Sequence, residues 1–282
     1  YDERHFDTNT RSQVEGIKDP VLREKEYVRM LGYVMAQIEE LLTNYGKIDI
    51  LWLDGMDMIG VTDHHNDKIY AWIRSLQPDI VVNDRWHNIV DPDNPDGTSV
   101  RVGDFTTPFE CQKPTYSPSE WWEHCHIWTC GGGGWGYDKT GTFRPMSWFF
   151  DDYVASRSLG GNFLPNASPD GNGEMHPNFY RQTDSLKAWM SHSAESLNGA
   201  GPTPGARLSN VPLTTRGKRV WYAHLLPSFK GQVSVLTNKK PKSVTLLRTG
   251  EPILYEYACG AVIFNLSSAD RTKTDDVVKI KL

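Results

Sequence analysis

The chain has 282 residues and a formal net charge of −5, which argues against nucleic acid or an anionic membrane as its main partner, because both are bound through basic surfaces. It contains no run of about 18 apolar residues, so the sequence predicts no membrane-spanning helix. The ten Trp and twelve Tyr residues are typical of proteins that bind sugars, although an aromatic core would explain them equally well.

Up to residue 198, helical and strand patterns alternate along the chain, which predicts a parallel α/β sheet. Apolar residues that recur at steps of three to four predict a long helix over residues 21–44. The same patterns predict further helices over 67–76, 148–158 and 179–193, and strands over 48–53, 79–83, 99–105, 127–129 and 161–165.

The pattern changes after residues 198–205, N-G-A-G-P-T-P-G, which are rich in helix- and strand-breaking residues and are typical of a linker. The predicted strands beyond this point cover residues 220–225, 232–236, 243–247, 255–258, 261–266 and 277–282. Short strands separated by turns predict a small antiparallel β-sandwich. We therefore expect a catalytic domain over 1–198 and a β-domain over 206–282.

The strand predicted over 48–53 ends on a carboxylate, Asp54, which Gly55 follows at once. The active sites of α/β barrels lie at the carboxyl ends of their strands, so Asp54 is a candidate catalytic residue. The alternative is a structural one, since an aspartate after a strand often caps the next helix.

Seven motifs in the chain resemble, in order, those of family-29 glycoside hydrolases, the α-L-fucosidases. The segment 37–55, Q-I-E-E-L-L-T-N-Y-G-K-I-D-I-L-W-L-D-G, is similar to the strand that carries the family's nucleophile. The others are V-V-N-D-R-W (81–86), G-D-F-T-T-P (103–108), W-E-H-C (122–125), W-G-Y (135–137), G-G-N-F-L-P-N-A-S-P-D-G-N-G (160–173) and L-K-A-W-M (186–190). The resemblance implies a TIM-like (β/α) barrel followed by a β-sandwich, and a retaining exo-glycosidase that releases terminal α-L-fucose.

Retaining hydrolysis requires two carboxyl groups about 5 Å apart, one as nucleophile and one as acid/base. The resemblance assigns Asp54 as the nucleophile. The family's acid/base motif is similar to D-F-x-T-P-E, but here Phe109 stands at the position of the glutamate and Glu110 follows it. We expect Glu110 to be the acid/base through a one-residue shift of the loop. The alternatives are Asp104, Glu120 and Glu123.

The resemblance also implies substrate-binding residues. Arg85 follows a predicted strand at a point where the family places an arginine in its active site. The structural alternative is an ion pair with Asp84 or Asp54 that orders the loop. Trp86 beside it is either a wall of the site or core. Trp135 and Tyr137 follow a run of four glycines and suit a platform for the sugar, or a packed loop. The remaining predicted contact is Glu123.

No metal or cofactor is predicted. His64 and His65 are adjacent, and His124 and His126 alternate on one segment, but neither pair has a further ligand at regular spacing. No glycine-rich nucleotide motif is present. The four cysteines do not form a metal pattern, and buried thiols are expected, with a Cys111–Cys125 or Cys125–Cys130 disulfide left open.

The family's barrel has strands and a histidine segment before the nucleophile strand, and nothing in this chain corresponds to them. We therefore expect the N-terminal half of the barrel to come from the same polypeptide or from another chain, because open sheet edges expose unpaired backbone. The implied substrate is a fucosylated oligosaccharide or glycoconjugate in a secreted, periplasmic or lysosomal setting. The alternatives are an α-L-galactosidase of the same family and an inactive carbohydrate-binding relative.

Overall fold

The computed structural model describes residues 11–55, 65–86, 103–202 and 208–282. They form two compact units, with the boundary between Thr107 and Pro108. The helices of the described residues are α1 (Arg11–Gly16), α2 (Pro20–Asn44), α3 (Asn66–Leu76), α4 (Met146–Ser158) and α5 (Pro177–Ser193). The four helices predicted from the sequence correspond to α2 to α5 and are confirmed within two residues at each end.

Helix α2 shows why these segments are helical. The side chain of Asp19 accepts hydrogen bonds from the backbone N–H groups of Val21 and Leu22 at 2.9 and 3.2 Å, and Pro20 occupies the first turn. The buried residues recur every three to four positions, as an amphipathic helix requires. They are Tyr27, Met30, Leu31, Val34, Ile38 and Leu42.

The parallel pair of the first unit is shorter than predicted. Strand β1 (Ile50–Leu51) pairs in parallel with β2 (Val81–Val82), whereas the sequence predicted strands over 48–53 and 79–83. Beyond the strands, the side-chain amide of Asn83 replaces the backbone ladder by bonding both the N–H and the carbonyl of Leu53 at 2.8 Å. This local exchange of partners explains why the strands end early.

Another sheet has the order β3 (Thr106–Glu110), β4 (Trp122–Ile127) and β5 (Asn162–Asn166). Strands β4 and β5 are parallel, and the unit boundary falls within β3. The strand predicted over 127–129 was wrong in position, because β4 ends at Ile127. Of the strand predicted over 99–105, residues 99–102 lie outside the described residues, and Phe105 forms an isolated parallel bridge with Asn83. The sequence pattern did not indicate β4, because the strand buries two polar residues, His124 and His126, against polar partners on α4 instead of apolar ones.

The remaining strands form two antiparallel sheets. They are β6 (Gly201–Pro202), β7 (Leu213–Arg216), β8 (Val220–Leu225), β9 (Val233–Leu236), β10 (Ser243–Leu246), β11 (Tyr255–Ala258), β12 (Ala261–Phe264) and β13 (Asp276–Lys281). The sheet orders are β10-β13-β8-β7-β6 and β11-β12-β9, and residues from both sheets share one apolar core. Six of these strands were predicted; β7 was missed, and β6 lies within the predicted linker.

A second core in this unit joins the helices to the β-domain. Phe150 of α4 and Trp189 of α5 pack with Tyr222 of β8 and Val277 of β13. The helices and the antiparallel strands therefore belong to one compact unit, and the predicted division into 1–198 and 206–282 stays a prediction. Among the described residues, no helix combines the length and the apolar character needed to cross a membrane.

Candidate active site

The seven predicted site residues fall into two groups, with three in the first unit and four in the second. In the first unit, Asp54 lies just beyond the end of β1, and its side chain is 55% exposed. Gly55 follows with φ of +73°, a left-handed conformation that glycine adopts without strain. The backbone therefore turns sharply after Asp54 and leaves its carboxylate accessible.

Arg85 is held against this carboxylate by two contacts. Its Nε donates to Oδ1 of Asp54 at 2.8 Å, and its guanidinium lies over the ring of Trp52 at 4.8 Å from the centroid. The ion pair considered as the alternative role of Arg85 is therefore present. Trp52 was not predicted as a site residue, although its position two residues before Asp54 in extended backbone was a usable signal, since such residues share a face.

Trp86 belongs to the core of the first unit. It is 2% exposed, and its indole N–H donates to the backbone carbonyl of Asp54 at 3.5 Å. This burial favours the core alternative over a wall open to substrate, and it makes Trp86 a support for the turn that carries Asp54.

Asn83 is a positioning residue that the sequence analysis did not single out. It is fully buried, and besides its two hydrogen bonds to Leu53 its carbonyl accepts from the hydroxyl of Tyr70 at 2.6 Å. The residue before Asp54 is thereby tied to the end of β2. The signal in the sequence was an asparagine that closes an apolar strand, where a buried amide needs a full set of partners.

An open cavity of about 510 Å³ within the first unit reaches Asp54. Its size lies in the range of small-molecule sites. The lining is mainly apolar and comes from α2 and from the segment around β1. Leu51 of β1 lines the cavity together with Trp52, Leu53 and Asp54, so the cavity lies beside the segment that carries the candidate nucleophile.

Glu110, the expected acid/base, is accessible to solvent in the second unit. It is the last residue of β3 and is exposed, while the preceding Phe109 is 6% exposed and packs edge-to-face on Trp122 at 5.2 Å. Adjacent side chains on a strand point to opposite faces, so the strand directs Phe109 into the core and Glu110 away from it. Cys111 then adopts a left-handed φ of +54°, an uncommon conformation of the kind that clusters at functional sites.

The three alternative acid/base residues, Asp104, Glu120 and Glu123, lie in surroundings that differ from those of Glu110. Asp104 pairs with Arg74 at 2.9 Å and accepts from the backbone N–H of Val82 at 2.8 Å, which makes it part of the link to β2. Glu123 lies near the amino end of β4, whereas parallel α/β folds bind substrates at the carboxyl ends. Its position therefore favours a structural role. Glu120 is exposed in the loop before β4.

Trp135 is anchored at the carboxyl end of β5. Its backbone carbonyl accepts from the side chains of Asn166 at 3.0 Å and Ser168 at 2.6 Å, and its indole is 43% exposed. The loop that contains the glycine run is linked across its ends by Asp138, whose carboxylate accepts a hydrogen bond from the backbone N–H of Gly131 at 2.6 Å. Trp135 is therefore exposed on a loop that is fixed by hydrogen bonds, and Tyr137 in the same loop is half-buried.

The four cysteines form no disulfide, and only Cys125 among them is buried. The expectation of buried thiols is therefore wrong for Cys111, Cys130 and Cys259, which are exposed. Exposed thiols in loops and turns lack the apolar packing that the prediction assumed.

Comparisons with known proteins show which family and which fold the chain resembles. The family model described as "Alpha-L-fucosidase" matches residues 3–195. The tissue alpha-L-fucosidase of Mus musculus is 26% identical over 223 residues, which cover 75% of this chain and 46% of that protein. Among solved structures, alpha-L-fucosidase isoenzyme 1 from Paenibacillus thiaminolyticus is 24% identical with a TM-score of 0.76, over 90% of this chain and 62% of that one.

A second solved structure is a GH29 alpha-L-fucosidase from Bacteroides thetaiotaomicron, in a trapped covalent intermediate with 2-fluoro-fucosyl fluoride. It is 20% identical with a TM-score of 0.75 and covers 92% of this chain and 62% of that one. At these identities the structural likeness shows the fold. The chain spans less than half the length of the first two curated relatives that it matches, 46% and 38%.

Proposed function

Since this chain belongs to the α-L-fucosidase family, we propose that the protein containing it is a retaining exo-α-L-fucosidase that acts on fucosylated oligosaccharides or glycoconjugates. The observation that carries the proposal is the pair formed by Asp54 and Arg85, with Nε and Oδ1 2.8 Å apart beside the ring of Trp52. An exposed carboxylate whose orientation is set by an arginine is suited to attack on a sugar.

Asp54 is the proposed nucleophile. Its carboxylate forms a bond to the anomeric carbon of fucose while the bond to the leaving oxygen breaks, and water then hydrolyses the glycosyl-enzyme. The trapped intermediate of the Bacteroides thetaiotaomicron relative is a covalent species of this kind. Arg85 holds Oδ1, and the amide of Asn83 limits movement of the backbone before Asp54. Such positioning lowers the cost of reaching the attacking geometry.

Glu110 is the proposed acid/base. It would protonate the leaving oxygen in the first step and take a proton from water in the second. Its exposure at the end of β3, opposite to the buried Phe109, supports this role. Trp135 is the proposed aromatic platform, because its indole is half-exposed at the carboxyl end of β5. Tyr137 is proposed as a neighbouring contact on the same loop.

The proposal also includes a source for the rest of the barrel. Among the described strands only β2 pairs with β1. One edge of β1 therefore has no partner strand in the described part of the chain, and parallel sheets normally cover such edges. We propose that further strands, from the same polypeptide or from another chain, pair with this edge. A secreted, periplasmic or lysosomal setting is the corresponding expectation for the location of the enzyme.

The test is hydrolysis of 4-nitrophenyl α-L-fucoside by the complete protein and its variants. Asp54→Gly should abolish turnover, and added azide should restore it with formation of the β-fucosyl azide, because azide then replaces the missing nucleophile in a single inversion. Asp49→Asn is the matched control, since the side chain of Asp49 pairs with the exposed Lys47 on the same segment, and it should retain activity.

Glu110→Ala should lower turnover of unactivated fucosides by about 10²–10⁴-fold, the usual contribution of a general acid. With azide and the activated substrate it should give the α-fucosyl azide, because azide then attacks the glycosyl-enzyme. Full activity of Asp54→Gly would refute the assignment of the nucleophile. A β-azide from Glu110→Ala, or its unchanged turnover, would refute the assignment of the acid/base. Sugar binding without turnover by the wild type would indicate an inactive relative.

A further inference from the structure

A buried cluster of two histidines and an aspartate lies between β4 and α4 in the second unit. His124 and His126 are two residues apart on β4 and therefore share one face of the strand. Asp152 and Ser156 lie one turn apart on α4 and face them. The ligand atoms of His124, His126 and Asp152 all lie within 4.8 Å of one another.

The hydrogen bonds of the cluster define the tautomer of His124. When the hydroxyl of Ser156 donates to the carbonyl of Asp152 at 2.8 Å, its oxygen accepts from Nδ1 of His124, 3.1 Å away. Nδ1 therefore carries the ring proton, and Nε2 carries a lone pair. An imidazole oriented through its second nitrogen in this way is typical of metal-ligating histidines.

Nε2 of His124 lies near the carboxylate of Asp152. This nitrogen is fully buried, has no hydrogen-bond partner among the described residues, and lies 4.0 Å from Oδ2 of Asp152, too far for a hydrogen bond. The same oxygen lies 2.8 Å from Nδ1 of His126. A buried lone pair close to a carboxylate oxygen is unfavourable, and a cation bound between them would remove the repulsion.

From this geometry we propose that His124, His126 and Asp152 bind a divalent transition-metal ion of the Zn²⁺ class. Neighbouring ligands in a tetrahedral zinc site lie about 3.3 Å apart, as bond lengths near 2.0–2.1 Å require. Oδ2 of Asp152 lies 2.8 Å from Nδ1 of His126 and 4.0 Å from Nε2 of His124, so each of these two separations is within 1 Å of that value. On binding, the proton on Nδ1 of His126 moves to its Nε2.

The ion would enter the cluster beside His126, and its fourth ligand would bind on the same side. Its side chain is 10% exposed, against 0% for His124 and 3% for Asp152. Water can reach the ion at this side and complete a four-coordinate shell. The ion would join β4 to α4 and stabilise the packing of the helix on the sheet.

The test uses the chain without a polyhistidine tag, freed of metal and titrated with Zn²⁺ and, as a spectroscopic probe, with Co²⁺. We expect one ion per chain, a higher Tm with Zn²⁺, and the intense visible absorption of four-coordinate Co²⁺. Asp152→Asn should weaken binding at least tenfold. Asp151→Asn is the matched control, because its carboxylate pairs with Lys113 at 3.6 Å, and it should bind as the wild type does.

The proposal is overturned if the wild-type chain shows no saturable binding at micromolar Zn²⁺ and no Co²⁺ spectrum, which would leave the cluster a hydrogen-bond network only. It is also overturned if Asp151→Asn and Asp152→Asn lose affinity equally. If Asp152→Asn does not fold, the spectrum of Co²⁺ bound to the wild type and its loss in His126→Gln decide the question.

Discussion

Protonation of His124 should destabilise the metal-free protein at mildly acidic pH. Burial between β4 and α4, and secondly the charge of His126, lower the pKa of His124 from 6.5 to about 4. Above pH 6.5 the ring is neutral in both folded and unfolded chains and has no effect. As the pH falls below 6.5, the unfolded chain takes up a proton that the folded chain does not, so stability is lost until about pH 4.

The size of the loss follows from the shift. A difference of 2.5 pKa units, from 6.5 to about 4, corresponds to about 3 kcal/mol at roughly 1.36 kcal/mol per unit. Solvent reaches the cluster beside His126 and partly screens the charge of a protonated His124, which reduces the expected loss to about 2 kcal/mol. Asp152 offsets part of it, because burial raises the pKa of its carboxyl and the folded chain then binds that proton more readily.

The assay is urea unfolding with a chelator at steps across this pH range, for the wild type and His124→Gln. The compared quantity is the change in free energy of unfolding with pH, so a constant cost of the substitution does not matter. We expect the wild type to lose about 2 kcal/mol more than the variant between pH 6.5 and about 4. Parallel curves for the two proteins would refute the reasoning.

Two further predictions concern packing. Trp189→Phe removes an indole N–H that donates to the buried carbonyl of Asp275 at 2.7 Å, and should cost about 1–3 kcal/mol in urea unfolding; an unchanged midpoint would contradict this. Gly161→Ala puts a Cβ 2.4 Å from the ring of Trp122, and overpacking of this kind should cost about 1–3 kcal/mol. Gly171→Ala meets nothing within 4 Å and should stay within about 0.5 kcal/mol of the wild type; equal losses in the two glycine variants would count against the steric explanation.

Elements with strong local signals were predictable from the sequence. Helix α2 has both a capping aspartate at Asp19 and a regular apolar face, and its predicted range 21–44 matches Pro20–Asn44. The antiparallel strands Val220–Leu225 and Tyr255–Ala258 were predicted to the residue, because the turns that flank them are marked by local sequence. The ordered motifs likewise were sufficient to identify the family.

The partners of polar side chains were not predictable in the same way. His124 and His126 are visible in the sequence as a pair, but Asp152 comes from a helix 26 residues further on. No local pattern indicates which carboxylate a strand will meet when a helix packs on it. For the same reason the sequence left open whether Arg85 binds substrate or pairs with Asp54, a question that depends on contacts across 31 residues.

The sequence by itself determined where helices and most strands form and which family the chain belongs to, because capping, periodicity and motifs act over a few residues. Tertiary structure alone decided that Asn83 clamps the residue before Asp54, that Phe109 is buried while Glu110 is exposed, and that two histidines meet an aspartate in the core. These outcomes depend on which faces pack together, and packing is a property of the whole fold.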